Sequence, residues 1–384
     1  MTIRITHLIT DLDIGGAEMM LYKLLSKMDR SRFQNSVVSM VGNGPLARKI
    51  KKLGIPVDTL DMTFGVPNPR GLYRLVRLLQ KQRPVVLQTW LYHADFLGLL
   101  AGKLARLPQI VWNVRCSDMD MQHYSKVSAL VIRILAALSS IPEAVVVNSE
   151  SGCEFHKRLG YRPRSWVLIH NGFDLDRFCP DEAAKVKFRQ ELGLSKDAIL
   201  IGLVARFDPM KDHATFLEAA HLLLEKDPRV HFVLVGSKVT WENRELTATI
   251  NSARYGEHFH LMGERENVPF IMAALDMATS SSYSEGFPNT IGEAMACGVP
   301  CVVTDAGDSA LLVGDTGMVV PIKNPHALAE GWDQMMKLAG FERSKLGKAA
   351  RCRIEEQFSL PTSVKCYEEL YQRSADYVRI RWVH

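Results

Sequence analysis

The chain alternates strand-like and helix-like segments from its start to beyond residue 320, and this alternation restricts the fold more than any other feature. The first half contains the β-rich runs ITHLIT, NSVVSMV, PVVLQTW, QIVWNVR and EAVVVNS, separated by segments with apolar residues at helical spacing. The second half repeats the pattern with AILIGLVAR, VHFVLVG, FHLMG, MATS, PCVVTD and MVVP. Alternating strands and helices predict parallel sheets covered on both faces. Two such sets predict an α/β protein with two doubly wound domains.

The length of 384 residues also exceeds what one hydrophobic core usually supports. Gly, Asp and Pro cluster in HNGFDLDRFCPD and mark a boundary between the two domains. We therefore predict an N-terminal Rossmann-like domain over residues 1–170 and a C-terminal one over residues 171–360. The helical segment 361–384 is followed by no strand, and we expect it to pack back on the first domain.

The net charge of +5 combines two halves of opposite sign. Residues 1–170 hold 23 Lys and Arg against 12 Asp and Glu, whereas residues 171–384 hold 24 against 30. An anionic partner for the first half is one interpretation, and lysine-rich solvated helices are the other. A membrane surface fits such a partner better than nucleic acid, because the basic residues lie on several helices without interleaved aromatic residues.

The cysteines and the apolar segments indicate the compartment. Seven cysteines occur without a CxxC pair, which argues against a disulfide framework or a zinc site and favours a reducing compartment. The N-terminus lacks the apolar run of a secretory signal. The most apolar stretch is interrupted by Arg133, Pro142 and Glu143, so it does not read as a membrane span. We expect a cytoplasmic protein that attaches, if at all, peripherally to the inner face of the cell membrane.

Ligands of open parallel sheets bind outside the carboxyl ends of the strands, so the cleft between two such domains is the expected site. The densest chemical signal is SSSYSEGFPNTIGEAMACGVPCVVTD at residues 280–305, where Glu285 and Glu293 are separated by seven residues. A helix that starts near Thr290 offers free N–H groups to an anion, and a carboxylate in its first turns can bind sugar or ribose hydroxyls. Capping boxes at Thr290-x-x-Glu293 and Ser282-x-x-Glu285 are the alternative.

EGFPNTIGEAMACGVPCVVTD closely resembles the Glu-x7-Glu signature of the retaining glycosyltransferases of family 4. Three further segments are similar to that family: LITDLDIGGAE to its glycine-rich first loop, HNGFDLDRFCP to its NGxDxxxF segment, and GLVARFDPMKDHATFLEAA to its Arg-x4-Lys segment. The resemblance implies the GT-B fold, in which two Rossmann-like domains face a cleft. It also implies that the second domain holds most of the nucleotide-sugar donor.

The resemblance implies that Arg206 and Lys211 bind the pyrophosphate of the donor and stabilise the charge of the leaving nucleotide. Glu293 is then the ribose ligand, and Glu285 faces the donor sugar. An exposed salt pair with Asp208 or Asp212 is the alternative for the two cations. The other donor contacts implied in this segment are Gly286, Phe287, Asn289, Thr290 and Ile291.

In the first domain, Gly15 and Gly16 follow the first strand, where glycine lets the backbone approach a donor closely. A plain tight turn is the alternative. The chain lacks GxGxxG, so a nicotinamide enzyme is poorly supported.

His93 follows the strand PVVLQTW, and we assign it to the catalytic group together with Glu285, Arg206 and Lys211. Many family members carry a histidine after the next strand, where this chain has Arg115. We expect Arg115 to contact the donor sugar or an anionic acceptor, with Ser117 or Asp118 taking part.

Three DxD strings start at Asp11, Asp118 and Asp174, but none has the context of a metal motif. The GT-B resemblance implies catalysis without a bound metal. We therefore expect no metal and no cofactor other than the substrate, a UDP- or GDP-sugar.

These observations predict a retaining glycosyltransferase that moves a sugar to an acceptor hydroxyl. The acceptor is expected to be a saccharide or lipid-linked saccharide of cell-surface polysaccharide or lipopolysaccharide synthesis, because the basic first half suits an anionic surface. A nucleotide-sugar epimerase on the same fold and a non-catalytic sugar-nucleotide binding protein are the alternatives.

Overall fold

The computed structural model describes residues 2–63, 68–115, 126–251 and 255–383. The chain divides into two compact units. The first consists of Met1–Gly172 together with Leu360–His384, and the second consists of Phe173–Ser359.

The first unit contains one parallel sheet with seven strands: β1 (Ile3–Ile9), β2 (Phe33–Ser39), β3 (Val57–Thr59), β4 (Val86–Trp90), β5 (Gln109–Val114), β6 (Ala144–Val147) and β7 (Trp166–Leu168). They lie in the order β3-β2-β1-β4-β5-β6-β7. In the sheet, Ile5 of β1 pairs with Asn35 of β2 on one side and with Val86 of β4 on the other. The strand order therefore reverses between β1 and β4, which makes their carboxyl ends a crevice for ligands.

Helices connect these strands: α1 (Gly16–Lys27), α2 (Pro45–Lys52), α3 (Pro69–Gln82), α4 (Tyr92–Leu104), α5 (Lys126–Leu138) and α6 (Glu150–Arg158). The local sequence explains their bounds. In α3, the Asn68 side chain accepts a hydrogen bond from the Gly71 N–H, and Pro69 occupies the first turn, where its missing N–H costs nothing. The helix ends at Arg83, which adopts a left-handed conformation with φ of 46°.

The second unit contains a parallel sheet with six strands: β8 (Ile199–Val204), β9 (Val230–Val235), β10 (Phe259–Leu261), β11 (Met277–Ser280), β12 (Cys301–Thr304) and β13 (Met318–Val320). Their order is β10-β9-β8-β11-β12-β13, so the strand order reverses between β8 and β11. Trp332 is fully buried against this sheet, and its Nε1 donates to Thr279 Oγ1 at 3.2 Å.

The helices of the second unit are α7 (Glu182–Glu191), α8 (His213–Leu224), α9 (Arg244–Asn251), α10 (Val268–Ala274), α11 (Asn289–Ala296), α12 (Ser309–Val313), α13 (Pro325–Lys337) and α14 (Gly340–Gln357). Two short 3-10 helices, Pro209–Lys211 and Gly256–His258, complete the unit. In the described residues, no helix combines the length and the apolar character needed to cross a bilayer.

The last helix, α15 (Leu360–Val383), packs against α1, β1 and β4 of the first unit. Two of its tyrosines are fully buried there and make polar contacts. The Tyr367 hydroxyl accepts from Asn113 Nδ2 at 2.9 Å, and the Tyr371 hydroxyl donates to Gln88 Oε1 at 3.2 Å. Each buried aromatic side chain contributes about 1.5–3 kcal/mol through the area it removes from water. The C-terminal segment is thus part of the hydrophobic core of the first unit.

The α/β architecture with two parallel sheets, predicted from the alternating pattern, is confirmed. The pattern did not reveal β7, whose three residues form an edge strand with an exposed Leu168. The sequence placed the domain boundaries after residues 170 and 360, and the structure divides the chain after Gly172 and Ser359.

Candidate active site

Arg206 lies two residues beyond β8, at the switch point of the second sheet. Its Nε donates to Asp208 Oδ2 at 3.1 Å, and its side chain is 61% exposed. The salt pair with Asp208 that the sequence suggested as an alternative is therefore present. An exposed pair of this kind adds little stability, so its main effect is to orient the guanidinium.

Asp208 is fixed in turn by the backbone. Its Oδ1 accepts from the Met210 N–H at 3.0 Å. Burial would raise the pKa of Asp208, but the hydrogen bonds from Met210 and Arg206 outweigh it and lower that pKa below its ordinary value. The carboxylate is thus charged at neutral pH and holds Arg206 at the end of the strand.

Lys211 and Glu285 form the central ion pair of this unit. Lys211 Nζ lies 2.5 Å from Glu285 Oε1, and their side chains are 22% and 13% exposed. The Ser282 hydroxyl donates to the same oxygen at 2.7 Å. Because the pair is largely shielded from water, its charges interact more strongly than charges on the surface do. The ammonium has three N–H donors, so a phosphate can bind it while Glu285 holds it.

The loops after β8 and β11 are joined by further hydrogen bonds. The Ser281 hydroxyl donates to the Lys211 carbonyl at 2.8 Å, and the Tyr283 N–H donates to the Met210 carbonyl at 3.1 Å. From β12, the Thr304 hydroxyl donates to the Ser282 carbonyl at 2.6 Å. These bonds hold the cations of one loop against the carboxylate of the other.

Helix α11 begins at Asn289, with Pro288 in the capping position and no side chain capping it. Thr290 therefore lies inside the first turn, and Thr290 and Glu293 do not form a capping box. Ser282 and Glu285 meet side chain to side chain in a loop and cap no helix either. The capping interpretation is wrong for both pairs. Helix α11 thus begins directly after the loop that carries Glu285, and the first N–H groups of a helix point toward its N-terminal end.

The remaining predicted residues of this segment differ in what they can offer. Asn289 and Glu293 are half-buried and, at positions i and i+4, share one face of α11. Phe287 and Ile291 are buried in the core, and the Phe287 ring stacks on Phe173 with centroids 6.1 Å apart. These two residues can contact a ligand only through their backbone.

The tip of the same loop depends on a close approach of two backbones. The Asp308 N–H donates to the Gly286 carbonyl at 3.0 Å. Gly307 has φ of +57°, and a Cβ there would lie 2.1 Å from the Glu285 carbonyl oxygen. Any residue other than glycine at position 307 would therefore displace Glu285.

In the first unit, Gly15 is the N-cap residue and Gly16 the first residue of α1, beyond the loop that follows β1. A Cβ at Gly15 would lie 2.2 Å from Glu18 Oε2, so the glycine makes room for this carboxylate. Glu18 is buried, and that burial, together with the nearby charge of Asp11, raises its pKa against the effects of its own N–H and of Arg115. The sequence did not single out Glu18, although it directly follows the glycine pair and one alanine.

His93 lies in the first turn of α4, beyond β4, and is half-buried. Burial lowers the pKa of its imidazole, which favours the neutral form. Leu91 just before it has φ of +73° and ψ of 158°, a conformation that costs a residue with a side chain about 1–3 kcal/mol. The strained turn fixes where α4 begins and hence where His93 lies.

Arg115 follows β5 directly and is held by several groups of the first unit. It donates to Asn171 Oδ1, and its guanidinium carbon lies 5.5 Å from the centroid of the Trp90 ring. Burial raises the pKa of the Tyr367 hydroxyl, and the charge of Arg115 opposes that increase. Arg115 thus connects β4, β5 and α15. Ser117 and Asp118, proposed to act with it, lie outside the described residues.

The structure brings Arg206, Lys211, Glu285 and the start of α11 to one edge of the second sheet. It places Gly15, Gly16, His93 and Arg115 at the carboxyl ends of β1, β4 and β5 in the first sheet. The sequence suggested Asp208 as an alternative partner of Arg206 but did not predict that it orients the guanidinium. The S-x-x-E spacing signalled Ser282, but only as an alternative helix cap.

Two of the three DxD strings form turns. Asp11 Oδ1 accepts from the Asp13 N–H at 3.1 Å, and Asp174 Oδ1 accepts from the N–H groups of Asp176 and Arg177, both at 3.2 Å. The string at Asp118 lies outside the described residues. In the part of the chain that the structure describes, no group of three or more His, Cys, Asp or Glu residues could hold a metal ion.

Two models of known protein families match the chain. The model of glycosyl transferases group 1 matches residues 184–353, and that of Glycosyltransferase Family 4 matches residues 14–177. The chain belongs to the group 1 glycosyltransferases. It is therefore an enzyme that transfers a sugar, as the Glu-x7-Glu segment predicted. Each of the two family models corresponds to a different unit of the structure.

Two relatives of this group 1 glycosyltransferase have defined activities. The N,N'-diacetylbacillosaminyl-diphospho-undecaprenol alpha-1,3-N-acetylgalactosaminyltransferase of Campylobacter jejuni is 25% identical over 77% of this chain and 81% of its own. The UDP-Gal:alpha-D-GlcNAc-diphosphoundecaprenol alpha-1,3-galactosyltransferase of Escherichia coli is 26% identical over 65% of each chain.

The fold of this glycosyltransferase is GT-B, as predicted. The crystal structure of HepE from Anabaena in complex with UDP superposes with a TM-score of 0.84 and 22% identity, covering 97% of this chain and 100% of HepE.

Proposed function

We propose that this glycosyltransferase moves a sugar from a UDP-sugar to a hydroxyl of a lipid-linked saccharide, with retention at the anomeric carbon. One observation carries the proposal: Arg206, Lys211, Glu285 and the start of α11 all lie at one edge of the second sheet. The UDP bound to HepE and the diphospho-undecaprenol acceptors named for the two relatives support the choice of donor and acceptor.

In this proposal the pyrophosphate binds Lys211, Arg206 and the first N–H groups of α11. The ammonium of Lys211 stays in place because Glu285 and Ser282 form a preorganised polar group around it. Fixed charges of this kind stabilise the anion that grows as the bond between the anomeric carbon and the phosphate oxygen breaks. Glu293, which is half-buried and shares one face of α11 with Asn289, binds the ribose hydroxyls.

The transfer step needs no separate base in this proposal. The acceptor hydroxyl forms the new bond on the face that the leaving group vacates, and its proton passes to the phosphate oxygen of the departing UDP. In the first unit, we assign His93, whose neutral form burial favours, and Arg115 to the binding of a sugar substrate. The products are the elongated saccharide and UDP.

Arg206→Ala and Lys211→Ala test the role of the two cations. Each variant should lower kcat by about 10²-fold or more, because loss of one fixed donor to a developing anion costs about 3–4 kcal/mol. Product formation is measured with UDP-[14C]glucose, UDP-galactose and their N-acetyl forms and an undecaprenyl-diphosphate-linked GlcNAc acceptor. Lys345→Ala, an exposed lysine on α14, is the matched control. Rates near that of the wild type in both site variants would refute the assignment, and donor converted without acceptor would indicate epimerase activity.

The metal requirement is tested in the same assay. We expect turnover to persist in about 5–10 mM EDTA, a concentration that strips weakly held ions. The reason is that Lys211, Arg206 and the start of a helix take the place of a divalent cation at the pyrophosphate. Turnover abolished by EDTA and restored by Mg²⁺ would overturn this part of the proposal.

We further propose that α3, α4 and α5 of the first unit face an anionic membrane. These three helices pack side by side. They contain seven basic residues, and their one acidic residue, Asp95, is fully buried. Tyr73, Leu104 and Leu130 expose 65%, 60% and 58% of their surface between the basic residues. Apolar side chains among cations are typical of surfaces that bind anionic lipid. The basic residues are Arg70, Arg74, Arg77, Lys81, Lys103, Lys126 and Arg133.

Vesicle flotation tests this surface. The wild type should float with phosphatidylglycerol vesicles at low salt and remain unbound with phosphatidylcholine vesicles. Arg77→Glu with Lys81→Glu should weaken binding by at least about 10-fold, because each cation near an anionic surface contributes about 1 kcal/mol. Lys345→Glu with Lys348→Glu on α14 reverses the same number of exposed charges in the second unit. Absence of binding to anionic vesicles at low salt, or equal loss in both double variants, would contradict the proposal.

A further inference from the structure

A polar cavity lies in the second unit, between the start of α8 and α9. Its volume is about 790 Å³, within the range of small-molecule sites. None of Lys211, Glu285 and the residues of α11 lines it, so it is separate from the ion pair described above. Its walls include Phe207, Asp208, His213, Leu217, Glu242 and Glu245.

The charge of the lining argues against a phosphate ligand. Four carboxylates, those of Asp208, Asp212, Glu242 and Glu245, face one ammonium, that of Lys238. Such a rim repels a nucleoside diphosphate and accepts hydrogen bonds from hydroxyl groups. Asn243, Thr240 and Thr249 add amide and hydroxyl groups to the same lining.

His213 is the unusual residue of this cavity. It is 4% exposed, and neither ring nitrogen makes a hydrogen bond with any residue that the structure describes. A buried polar group without a partner costs about 1–3 kcal/mol, which a ligand that supplies the partner restores. Burial lowers the pKa of His213 to about 4, so at neutral pH its ring has one donor and one acceptor nitrogen. A sugar hydroxyl, itself both donor and acceptor, matches either nitrogen.

One aromatic ring of the lining lies beside these polar groups. Phe207 packs against the His213 ring, with centroids 5.1 Å apart, and is half-buried. Aromatic rings beside carboxylates and amides suit a ligand with apolar C–H faces and polar edges.

We propose that this cavity is a binding subsite for a neutral saccharide, distinct from the donor site. The carboxylates and His213 bind its hydroxyl groups, and the Phe207 ring contacts its C–H faces. Asp208 connects the two sites, because it lines the cavity and also orients Arg206. Binding of saccharide to this subsite requires no donor, so it can be measured independently of the transfer reaction.

Saturation-transfer difference NMR on the full chain without nucleotide tests the proposal. The probes are maltotetraose and chitotetraose, both neutral, and the cationic tetramer of glucosamine. We expect saturation transfer to at least one neutral probe. Ala214→Trp fills the cavity from an exposed lining position, and Glu245→Gln removes one carboxylate charge with little change in shape. Each should weaken binding of the neutral probe by at least about 10-fold, or 1.4 kcal/mol.

The matched control is Ala248→Trp, which adds the same bulk at an exposed position of α9 outside the cavity. It should bind the probe as the wild type does. Retained thermal stabilisation by UDP shows that the variants are folded and separates this subsite from the donor site. The proposal is overturned if neither neutral probe receives saturation, if only the cationic tetramer binds, or if Ala214→Trp and Glu245→Gln bind like the wild type.

Discussion

Replacing Ser282 by alanine tests whether the loop after β11 prepares Glu285 and Lys211 for the donor. The Ser282 side chain is buried, and its hydroxyl donates to Glu285 Oε1 at 2.7 Å, on the oxygen that Lys211 also contacts. Loss of the hydroxyl leaves Lys211 as the main restraint on that oxygen. The pair can then rotate, and the ammonium no longer lies where the pyrophosphate needs it.

The size of the effect follows from the type of bond. A hydrogen bond to a charged group contributes about 1.5–3 kcal/mol, which corresponds to roughly 10- to 10²-fold in rate. Because Lys211 still holds Glu285, we expect the lower end of this range for Ser282→Ala. We expect kcat to fall by about 10-fold, with a smaller change in KM, because the loss acts on charge that develops in the transition state.

Ser309→Ala is the matched control. Ser309 is also fully buried, and its hydroxyl donates to the Ala306 backbone carbonyl at 2.6 Å rather than to Lys211 or Glu285. Both variants lose one buried hydroxyl, so their stabilities should decrease by similar amounts in thermal unfolding. Only Ser282→Ala should lower kcat in the radiolabelled transfer assay. A kcat within twofold of the wild type for Ser282→Ala, or an equal decrease for Ser309→Ala, would refute the reasoning.

Three further predictions concern stability. His7 and His156 are fully buried with pKa values lowered to about 4, chiefly by burial, while the unfolded chain binds protons below about pH 6.5. Their neutral forms therefore stabilise the fold fully above pH 6.5, and this stability is lost between pH 6.5 and 4, by about 2 kcal/mol per histidine at pH 5. Urea unfolding at pH 7.5 and pH 5 measures the loss, and His156→Gln should show a smaller loss than the wild type; an equal loss would contradict the mechanism. Gly292→Ala places a Cβ 2.0 Å from the Phe173 ring, which stacks on Phe287. This substitution should destabilise the second unit by about 1–3 kcal/mol, as measured by calorimetry. An unchanged Tm would show that the Phe173 ring moves aside without cost. Burial raises the pKa of Asp95 well above its ordinary value and so favours the protonated carboxyl. Asp95→Asn, which resembles that form, should change stability by less than about 1.5 kcal/mol, and a loss of several kcal/mol would indicate a charged carboxylate.

The sequence predicted the sheets well because buried parallel strands such as AVVV of β6 have no polar positions and contrast with the amphipathic helices between them. It failed at β7, where three half-buried or exposed residues at a sheet edge give no such contrast. The bounds of α11 were also inaccurate by about one residue, since Asn289, Thr290 and Pro288 are all acceptable at a helix start.

The candidate site was predictable in its charged residues and less so in the groups that hold them. Arg206, Lys211 and Glu285 belong to a recognisable pattern, and the structure pairs Lys211 with Glu285 and Arg206 with Asp208. The role of Ser282 depends on whether the backbone after β11 turns into a helix or stays a loop, and the S-x-x-E spacing fits both. The strain at Leu91 was not predictable either, because a leucine with positive φ carries no sequence signal.

The position of α15 in the first unit has a consequence for the order in which the protein matures. Residues up to Gly172 are synthesised before α15, so the hydrophobic face that Tyr367, Tyr371 and Leu360 cover stays open to water until this helix emerges from the ribosome. The first unit therefore completes its folding after the second unit has been synthesised, in contrast to the usual sequence in which N-terminal domains finish first. During that interval the nascent chain exposes an apolar surface that chaperones can bind. A nonsense mutation that removes α15 would therefore leave the core of the first unit incomplete, although Arg206, Lys211 and Glu285 belong to the second unit.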